Sequence, residues 1–471
     1  MENTYLFYDL ETTGLNKCFD QIIQFAAIRT DKNFNELEKY NFKLALRDDI
    51  IMSPEAVLVH RISPLSLKEG LNEYEAVLKI HEIINVPGTI SLGYNTLGFD
   101  DEFLRFSFYR NLLNPYSHQF KNNCFRMDIF PMAVFYYLFE EDIIKWPFKK
   151  DGGGVSLKLE NLSLLNNLTK GQAHDALADV EATLNLARIF SRNKKVWEYL
   201  VDFFVKKSDQ KRSESIDEIF QSQSGIHRMG LFVDSKTGAD LNFIAPFLNI
   251  GKSIPYKNQS LWLRLDDKNI EECMDNIEEK TFVVRKKYGE PPFILPAYDR
   301  FLSKMNFKQK KIMEKNIEYL KSHTSEFNEI VNYHTNYRYP QIEGVDPDAM
   351  LYERGFLSEK EMAKCRSFHK KKFEDKIDMI DDFKELEKRQ AKRILFRNYN
   401  IEGFENIESE KKKYFKSLNG SSRIVDYLGN ARLTPGEILS RIEELLAQKT
   451  DNEDRNLLND LKKDIFLKFN Q

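Results

Sequence analysis

Hydrophobic and polar positions in the first 190 residues alternate between a strand pattern and a helix pattern. Short apolar runs at 4–9, 21–30, 40–46 and 89–95 predict strands, each bounded by polar residues, Gly or Pro. Apolar spacings of three and four residues predict helices over 73–86, 100–113, 127–140 and 175–192. Strands interspersed with helices, and acids at strand ends, predict an α/β fold in which helices cover a mixed sheet.

The pattern changes after about residue 195. Segments between 225 and 300 are short, β-branched or aromatic, and broken by Gly, Pro and Asn, which predicts a small β-rich domain. Beyond about residue 345 the chain is charged and has helical apolar spacing. We therefore predict three domains, at 1–194, 195–345 and 346–471, which fits a length of 471 residues at roughly 150 residues per domain.

Composition narrows the class of protein. A hydrophobic content of 42% is too high for a disordered chain. The formal charge of 70 − 73 = −3 excludes a simple polycationic coat protein, but it leaves nucleic-acid binding open because binding needs only a local basic stripe. The acidic start lacks the pattern of a signal peptide, and no run approaches the roughly 18 apolar residues of a membrane helix. None of the four cysteines forms a C-x-x-C pair. We expect a cytoplasmic protein with no membrane span, disulfide framework or zinc ribbon.

Acidic residues at four places carry the candidate chemistry. Asp9 and Glu11, in D-L-E-T-T-G, lie two apart at the end of the first predicted strand, so their side chains share a face. Asp100 follows the strand at 89–95, and Asp179 lies five residues after His174. Four carboxylates suit a pair of hard cations such as Mg²⁺ or Mn²⁺. Two such ions about 3.5–4 Å apart can hold both the attacking and the leaving oxygen of a phosphoryl displacement.

His174 adds a group that can move a proton near neutral pH, and it could take one from an attacking water. Each residue alone has an ordinary explanation: Asp100 could cap a helix, and His174 could be a core or surface histidine. The joint spacing of D-x-E-T-T-G, N-x-x-x-F-D and H-x₄-D favours the catalytic interpretation over these alternatives.

These motifs resemble the DEDDh group of 3′→5′ exonucleases, which have the ribonuclease-H-like fold. Within this group the chain resembles the bacterial exodeoxyribonuclease I family, through the stretches DQIIQFAAIRTD, GYNTLGFDDEFLRFSFYRNLLNPY, AHDALADVEATLNLARI and RQAKRILFRNY. The resemblance implies a ribonuclease-H-like mixed sheet with helices, then a small SH3-like β domain and an all-α C-terminal domain.

The resemblance also implies roles for single residues. The metal ligands would be Asp9, Glu11, Asp100 and Asp179, and the general base would be His174. Glu11 would also touch the 3′-terminal nucleotide, and Lys158 stands where the family has an arginine near the substrate. A lysine keeps the charge but lacks the planar fork that binds phosphate at two points. Arg105, Tyr116 and Phe120 fall at positions that face the DNA in this family.

The function implied by the resemblance is metal-dependent 3′→5′ hydrolysis of single-stranded DNA with release of 5′-mononucleotides, in DNA repair and recombination. The cofactor would be two Mg²⁺ ions, with Mn²⁺ as the other option. The partners would be single-stranded DNA and the C-terminal tail of the single-stranded DNA-binding protein, and the enzyme would be a monomer. Two alternatives stay open: a ribonuclease T-like exoribonuclease, and a non-catalytic single-strand-binding protein.

Three other clusters have less specific patterns. Cationic residues recur at helical spacing at Lys388, Arg389, Lys392, Arg393 and Arg397. They fit a solvated helix face and a surface for phosphates or an acidic partner equally well. The run from Arg285 to Tyr288 is a candidate DNA contact. Gly152–Gly154 lacks the Lys-Ser/Thr of a phosphate-binding loop, so we interpret it as a hinge near the mouth of the active site.

Overall fold

The computed structural model of the chain describes residues 3–150, 152–171, 175–419, 423–449 and 451–469. These residues form two compact units that are not consecutive along the sequence. The first unit contains 1–126, 170–181 and 341–471, and the second contains 127–169 and 182–340. No helix within the described ranges is long and apolar enough to cross a membrane.

A five-stranded mixed sheet lies in the first unit, with the order β3-β2-β1-β4-β5. Its strands are β1 (Thr4–Thr12), β2 (Ile22–Thr30), β3 (Glu36–Lys43), β4 (Thr89–Leu92) and β5 (Phe125–Arg126). β1 pairs with β2 antiparallel and with β4 parallel, from Thr4 opposite Thr89 to Phe7 opposite Leu92. Every residue of β2 is buried, as expected for an internal strand with a continuous apolar run. The central position of β1 places its carboxyl end beside that of β4.

Helices of the first unit come from both ends of the chain. They are α1 (Pro54–His60), α2 (Glu73–Ile84), α3 (Asp100–Arg110) and α4 (Ser117–Phe120), followed after residue 340 by α14 (Glu359–Lys370), α15 (Phe373–Asp378), α16 (Glu385–Asn398), α17 (Glu405–Asn419), α18 (Pro435–Gln448) and α19 (Asn452–Phe469). Phe106 and Tyr109 of α3 share a buried cluster with Ile394 and Leu395 of α16. α16 of the C-terminal segment therefore shares a core with α3 of the N-terminal part.

Buried ion pairs stabilise the C-terminal segment internally, and one of them, between Arg397 and Asp49, joins it to the N-terminal part. Arg393 of α16 binds both carboxylate oxygens of Asp346, at 2.5 and 2.9 Å, and contacts Asp348 at 2.9 Å. Arg397, one turn later, contacts Asp348 at 2.8 Å and Asp49 at 3.2 Å. Both guanidinium groups are at most 4% exposed. Neither a solvated helix face nor a surface for phosphates or an acidic partner describes Arg393 and Arg397, because their guanidinium groups pair with buried carboxylates.

The second unit is built around an antiparallel sheet with the order β10-β9-β8-β7-β11, in which β6 also pairs with β7. Its strands are β6 (Glu218–Ser222), β7 (Gly225–Val233), β8 (Ile244–Lys252), β9 (Gln259–Arg264), β10 (Val283–Lys287) and β11 (Phe293–Pro296). Its helices are α5 (Ile129–Phe139), α6 (Leu159–Asn166), α8 (Lys194–Val201), α9 (Lys206–Glu214), α10 (Ile277–Lys280), α11 (Asp299–Leu302), α12 (Phe307–Ser322) and α13 (Thr324–Asn336). α7 (Ala176–Phe190) contributes residues to both units.

The predicted α/β class, with a β-rich middle and a helical C-terminal region, is confirmed. One predicted strand is displaced: the run at 40–46 belongs to a strand that spans Glu36–Lys43. β3 is an edge strand with mostly exposed side chains, so the start of its sequence lacks the apolar alternation that marks a half-buried strand. The three-domain boundaries at 194 and 345 stay a prediction.

We predict that Arg393→Ala strongly destabilises the first unit. The change leaves Asp346 buried without its two-point partner, and breaking a buried pair costs about 3–5 kcal/mol. Urea unfolding followed by far-UV circular dichroism measures the loss. Lys388→Ala, on the same helix, is the matched control, because Lys388 pairs with the exposed Asp381. Equal stability of the two variants would contradict a structural role for Arg393.

Candidate active site

Two of the predicted carboxylates lie at the carboxyl end of the central strand. Asp9 and Glu11 belong to β1, where they oppose Ala26 and Gln24 of β2 and share one face. The register between β1 and β2 shifts between Glu11 and Thr12, as at a β-bulge, so regular pairing ends directly after Glu11. The geometry of β1 thus presents both side chains at the edge where the parallel strands end.

A tight turn fixes the chain directly after Glu11. The Thr13 hydroxyl donates to Asp20 at 3.1 Å, and the Asn16 amide donates to the same carboxylate at 2.8 Å. A Cβ on Gly14 would lie 2.5 Å from the Asp20 carboxylate, so only glycine fits here. The T-T-G part of the motif therefore holds the end of β1 in place.

Asp100 reaches β1 from the neighbouring parallel strand. β4 ends at Leu92, and a Cβ on Gly93 would lie 2.5 Å from the Tyr8 carbonyl oxygen, which requires glycine at this close approach. Asp100 is the first residue of α3, and its Oδ1 accepts a hydrogen bond from the Leu10 amide at 3.2 Å. Its carboxylate faces the segment between Asp9 and Glu11. The alternative that Asp100 caps a helix is wrong, because the N-cap position belongs to Phe99.

Asp179 lies in the first turn of α7. The chain enters this helix through Asp175, whose carboxylate accepts from the Leu177 amide at 3.0 Å and whose carbonyl oxygen accepts from the Asp179 amide at 3.0 Å. This is the geometry of a helix N-cap. His174, the predicted general base, lies outside the described residues.

The electrostatics of the site show that the four carboxylates are close together. Burial raises the pKa of Asp9 well above its ordinary value, and the negative charges of Asp100, Glu11 and Asp179 raise it further. Burial, followed by the charges of Asp179 and Asp100, raises the pKa of Glu11 from 4.5 to about 8. Like charges held together away from water disfavour ionisation in this way. A cation that binds among them would remove the repulsion.

The donor set suits a divalent cation of the Mg²⁺ class, because all four groups are hard oxygen ligands. Among the described residues, no group of three or more His, Cys, Asp or Glu side chains has the arrangement of a complete metal site. The chemistry and the mutual repulsion of these groups fit a metal site.

Asp175 is a participant that the sequence reasoning missed. It is exposed, yet its charge contributes to the raised pKa of both Asp9 and Glu11. The signal was present in the motif H-D-A-L-A-D, where the first aspartate directly follows His174. An acid that caps the helix carrying Asp179 necessarily lies near the same cluster.

Asp101, beside Asp100, has the opposite role. It is fully buried, and His118 contacts it at 2.8 Å while Arg105 contacts it at 3.1 Å and Arg126 forms a further ion pair. Burial opposes its ionisation, but the guanidinium groups of Arg126 and Arg105, together with the hydrogen bond to His118, hold the pKa of Asp101 far below its usual value. Asp101 therefore lies in the first turn of α3 as the centre of an internal charge cluster.

Arg105 lies in this buried cluster. Its side chain is 6% exposed and also contacts Glu102, Gln119 and the ring of Tyr116. A phosphate could reach the guanidinium only if these partners moved, so its predicted DNA contact requires a rearrangement of this cluster.

Tyr116 and Phe120, the predicted aromatic contacts, lie at one groove of the first unit. The groove has a volume of about 360 Å³ and is also lined by Tyr352 and Phe356. Phe120 is 61% exposed and Phe356 is 86% exposed, while the Tyr116 ring packs edge-on against Phe356 at 5.5 Å. Exposed flat rings beside a cavity could stack on nucleobases.

Lys158 belongs to the second unit, directly before α6. Its side chain is 74% exposed, and its ammonium lies 3.3 Å from Glu160. An exposed ion pair of this kind is weak, so the lysine could exchange Glu160 for a phosphate.

Comparison with known proteins places the site in a family context. Residues 6–187 match the family model described as exonuclease, RNase T. Exodeoxyribonuclease I of Buchnera aphidicola (Schizaphis graminum) is 41% identical over 207 residues, which cover 44% of this chain and 42% of that protein. Exodeoxyribonuclease I of Escherichia coli is 36% identical over 234 residues, 49% of this chain and 48% of that protein. The chain thus matches less than half of the length of these curated relatives.

The fold is similar over a longer range. The crystal structure of E. coli exonuclease I in complex with a dA16 oligonucleotide superposes with a TM-score of 0.81 at 23% identity, covering 98% of this chain and 99% of that one. The exonuclease I of Methylocaldum szegediense gives a TM-score of 0.79 at 24% identity, over 99% of each chain. The resemblance to the bacterial exodeoxyribonuclease I family is confirmed, and the fold along the whole chain is that of exonuclease I.

We predict that Glu11→Gln stabilises the metal-free protein at alkaline pH. A folded-state pKa near 8 means that the folded protein binds more protons than the unfolded chain between about pH 4.5 and 8. The free energy of unfolding of the wild type therefore falls as pH rises through this range. The amide variant does not ionise, so above this range it should be more stable by an amount on the order of a few kcal/mol.

Thermal unfolding in chelator at pH 5 and pH 9 measures this difference. The gain of the variant over the wild type should be larger at pH 9, and added Mg²⁺ should remove it by stabilising the wild type. Glu36→Gln, at an exposed position of β3, is the matched control. A gain that is equal at both pH values would contradict the clustering of charge around Glu11.

Proposed function

We propose, since residues 6–187 belong to the exonuclease family, that this chain is a metal-dependent 3′→5′ exonuclease that hydrolyses single-stranded DNA and releases 5′-mononucleotides. The observation that carries the proposal is the set of four mutually repelling carboxylates at the edge of the parallel strands, of which Asp100 is buried and the others are half-buried: Asp9, Glu11, Asp100 and Asp179.

These carboxylates would hold two Mg²⁺ ions, with Mn²⁺ as the other option. Bound ions of this class polarise a phosphate and favour ionisation of an attacking water. The protein's own contribution is position: β1 orients Asp9 and Glu11, the Leu10 amide holds Asp100, and the Asp175 cap begins the helix that carries Asp179. A zinc-bound form of the E. coli exonuclease I–single-stranded DNA complex, at a TM-score of 0.80, supports a divalent cation at such a site.

His174 is the proposed general base. It directly precedes Asp175, so it lies within a few residues of the start of α7 and of Asp179. An imidazole there could accept a proton from the attacking water, since its ordinary pKa lies near neutrality.

The substrate would be a single strand because its bases are accessible. Phe120 and Tyr116 at the groove of the first unit offer faces for stacking, which a duplex cannot use without unpairing. The oligonucleotide complex of E. coli exonuclease I supports this substrate class. Glu11 would touch the terminal nucleotide, and Lys158 and Arg105 would contact phosphates.

The wider biological role is proposed from the same relatives. A structure named for the single-stranded DNA-binding protein and exonuclease I, at a TM-score of 0.79, supports the C-terminal tail of that protein as a partner. We further propose a cytoplasmic monomer with the three domains 1–194, 195–345 and 346–471, acting in DNA repair and recombination.

Digestion of a 5′-labelled single-stranded DNA oligonucleotide tests the activity. We expect shortening from the 3′ end with Mg²⁺ and none with chelator, while the blunt duplex and the matching RNA stay intact. Equal or faster loss of RNA would point to the ribonuclease T-like alternative. Binding without cleavage of any substrate would point to a single-strand-binding protein.

We predict that Asp179→Asn lowers the hydrolysis rate by at least about a hundredfold, because the amide cannot replace the charge that a bound cation needs. Binding of single-stranded DNA should persist, which fluorescence anisotropy in chelator measures. Glu181→Gln, on the same helix, is the matched control, since its side chain is 37% exposed and pairs with Lys39. Full turnover of Asp179→Asn would overturn the assignment of the metal ligands.

A further inference from the structure

Four tyrosines cluster on the second unit, where the end of α13 meets the start of β9. Tyr256, Tyr333, Tyr337 and Tyr339 form what we call the tyrosine patch. The ring centroids of Tyr256 and Tyr339 are 5.0 Å apart, those of Tyr337 and Tyr339 are 5.6 Å apart, and those of Tyr333 and Tyr337 are 6.3 Å apart. The patch shares no residue with the carboxylate site.

The patch is not a core cluster. Tyr339 is 49% exposed, and the other three rings are half-buried. Hydrogen bonds nevertheless fix it: the Tyr256 hydroxyl accepts from the Tyr339 amide at 3.0 Å, and Gln259 of β9 donates to the Tyr339 hydroxyl at 3.4 Å. Rings held in place at the surface bind a ligand with little loss of conformational entropy.

Cations accompany the rings. The Arg285 guanidinium lies 4.4 Å from the centroid of Tyr337 and donates to the His334 carbonyl oxygen at 3.2 Å. Lys287, two residues further along β10, shares the face of Arg285 and opposes Gln259 across the ladder. Lys286 between them has the opposite orientation and is buried against Asp209 at 2.6 Å.

The balance of charge at the patch is positive. Lys257 and Arg338 directly follow and precede patch tyrosines in the sequence, and both are exposed. One acid lies at the edge: Glu278 accepts a hydrogen bond from the Tyr333 hydroxyl at 2.7 Å. Burial and this bond raise the pKa of Tyr333 to about 12, so the ring stays neutral at physiological pH.

From this arrangement we infer that the tyrosine patch binds single-stranded DNA, with bases stacked on its rings and phosphates beside Arg285, Lys287 and Arg338. Interleaved aromatic and cationic side chains are what sequence-independent single-strand binding requires, because every base has a stacking face and every linkage a charge. The inference rests on the proposed function for its ligand. The patch would retain the strand and take no part in hydrolysis.

Binding of a fluorescein-labelled oligo-dT strand in chelator, measured by anisotropy on the full chain, tests the inference. Loss of a stacking ring weakens single-strand binding, so Tyr337→Ala combined with Tyr339→Ala should weaken it by about tenfold or more. Lys287→Ala should lower the salt dependence of binding by about one unit of slope. Photocrosslinking of an iodouracil-containing strand should label the peptide that carries Tyr337 and Tyr339.

Two variants separate stacking from other effects. Tyr339→Phe keeps the ring and loses only the bond from Gln259, so it should bind like the wild type. Phe307→Ala removes a ring that is 82% exposed elsewhere on the second unit, and it should also bind normally. Circular dichroism confirms that each variant is folded. A loss in Tyr339→Phe equal to that of the alanine variant would overturn the stacking role.

The two proposals fail in different ways. If the wild type degrades and binds single-stranded DNA and the double variant binds it equally well, the patch is not a binding site and the proposed function stands. If the wild type neither binds nor degrades it, both proposals are overturned.

Discussion

Mutual repulsion among closely placed, largely desolvated carboxylates is the constraint on which the first unit depends. Asp9 and Glu11 lie on the central strand, and Asp100 is held against the same strand by the Leu10 amide. Burial, and then the charges of the neighbouring acids, raise the pKa of Asp9 and of Glu11, so ionisation of the cluster destabilises the folded protein. Two features bring Asp100 close to Asp9 and Glu11: the parallel pairing of β1 with β4, and Gly93, which allows the chain after β4 to approach β1. The clustered charges lower the stability of the metal-free protein, and a cation bound among them would restore it.

Adjacent aspartates in α3 illustrate how environment divides one residue type into two roles. Asp100 adds negative charge to a cluster of acids, whereas Asp101, one position on, is surrounded by Arg105, Arg126 and His118. The helix turns by about 100° per residue, so neighbouring side chains meet different surroundings. The charge of Asp101 is stabilised internally and that of Asp100 is left for a ligand. Arg105 is buried because it pairs with Asp101 inside the protein.

The sequence predicted the elements that carry the acids because each has strong local periodicity. β1, β2, α2, α3 and α7 lie within a few residues of their predicted bounds, and the spacing of the motifs led to the acids that the structure brings together. Features that depend on distant partners were not predictable. Arg393 and Arg397 have the same local pattern as a solvated face, and only Asp346, Asp348 and Asp49 reveal their burial. The cluster around Asp101 is another such case, since its partners Arg126 and His118 lie on other elements.

The C-terminal helices α18 and α19 help to bury the N-terminal sheet. Every residue of β2 is buried, so the start of the strand also needs packing partners. Ile23 lies in one buried cluster with Ile442 of α18 and Leu458 of α19, which shows that the C-terminal helices supply them. β2 is also the antiparallel partner along which β1 is aligned, through Ala26 opposite Asp9 and Gln24 opposite Glu11. Residues more than 400 positions along the chain therefore support the strand against which Asp9 and Glu11 are aligned. The helical pattern predicted beyond about residue 345 begins earlier in the structure, at α12 and α13, but only the segment from residue 341 onward belongs to the carboxylate-bearing unit.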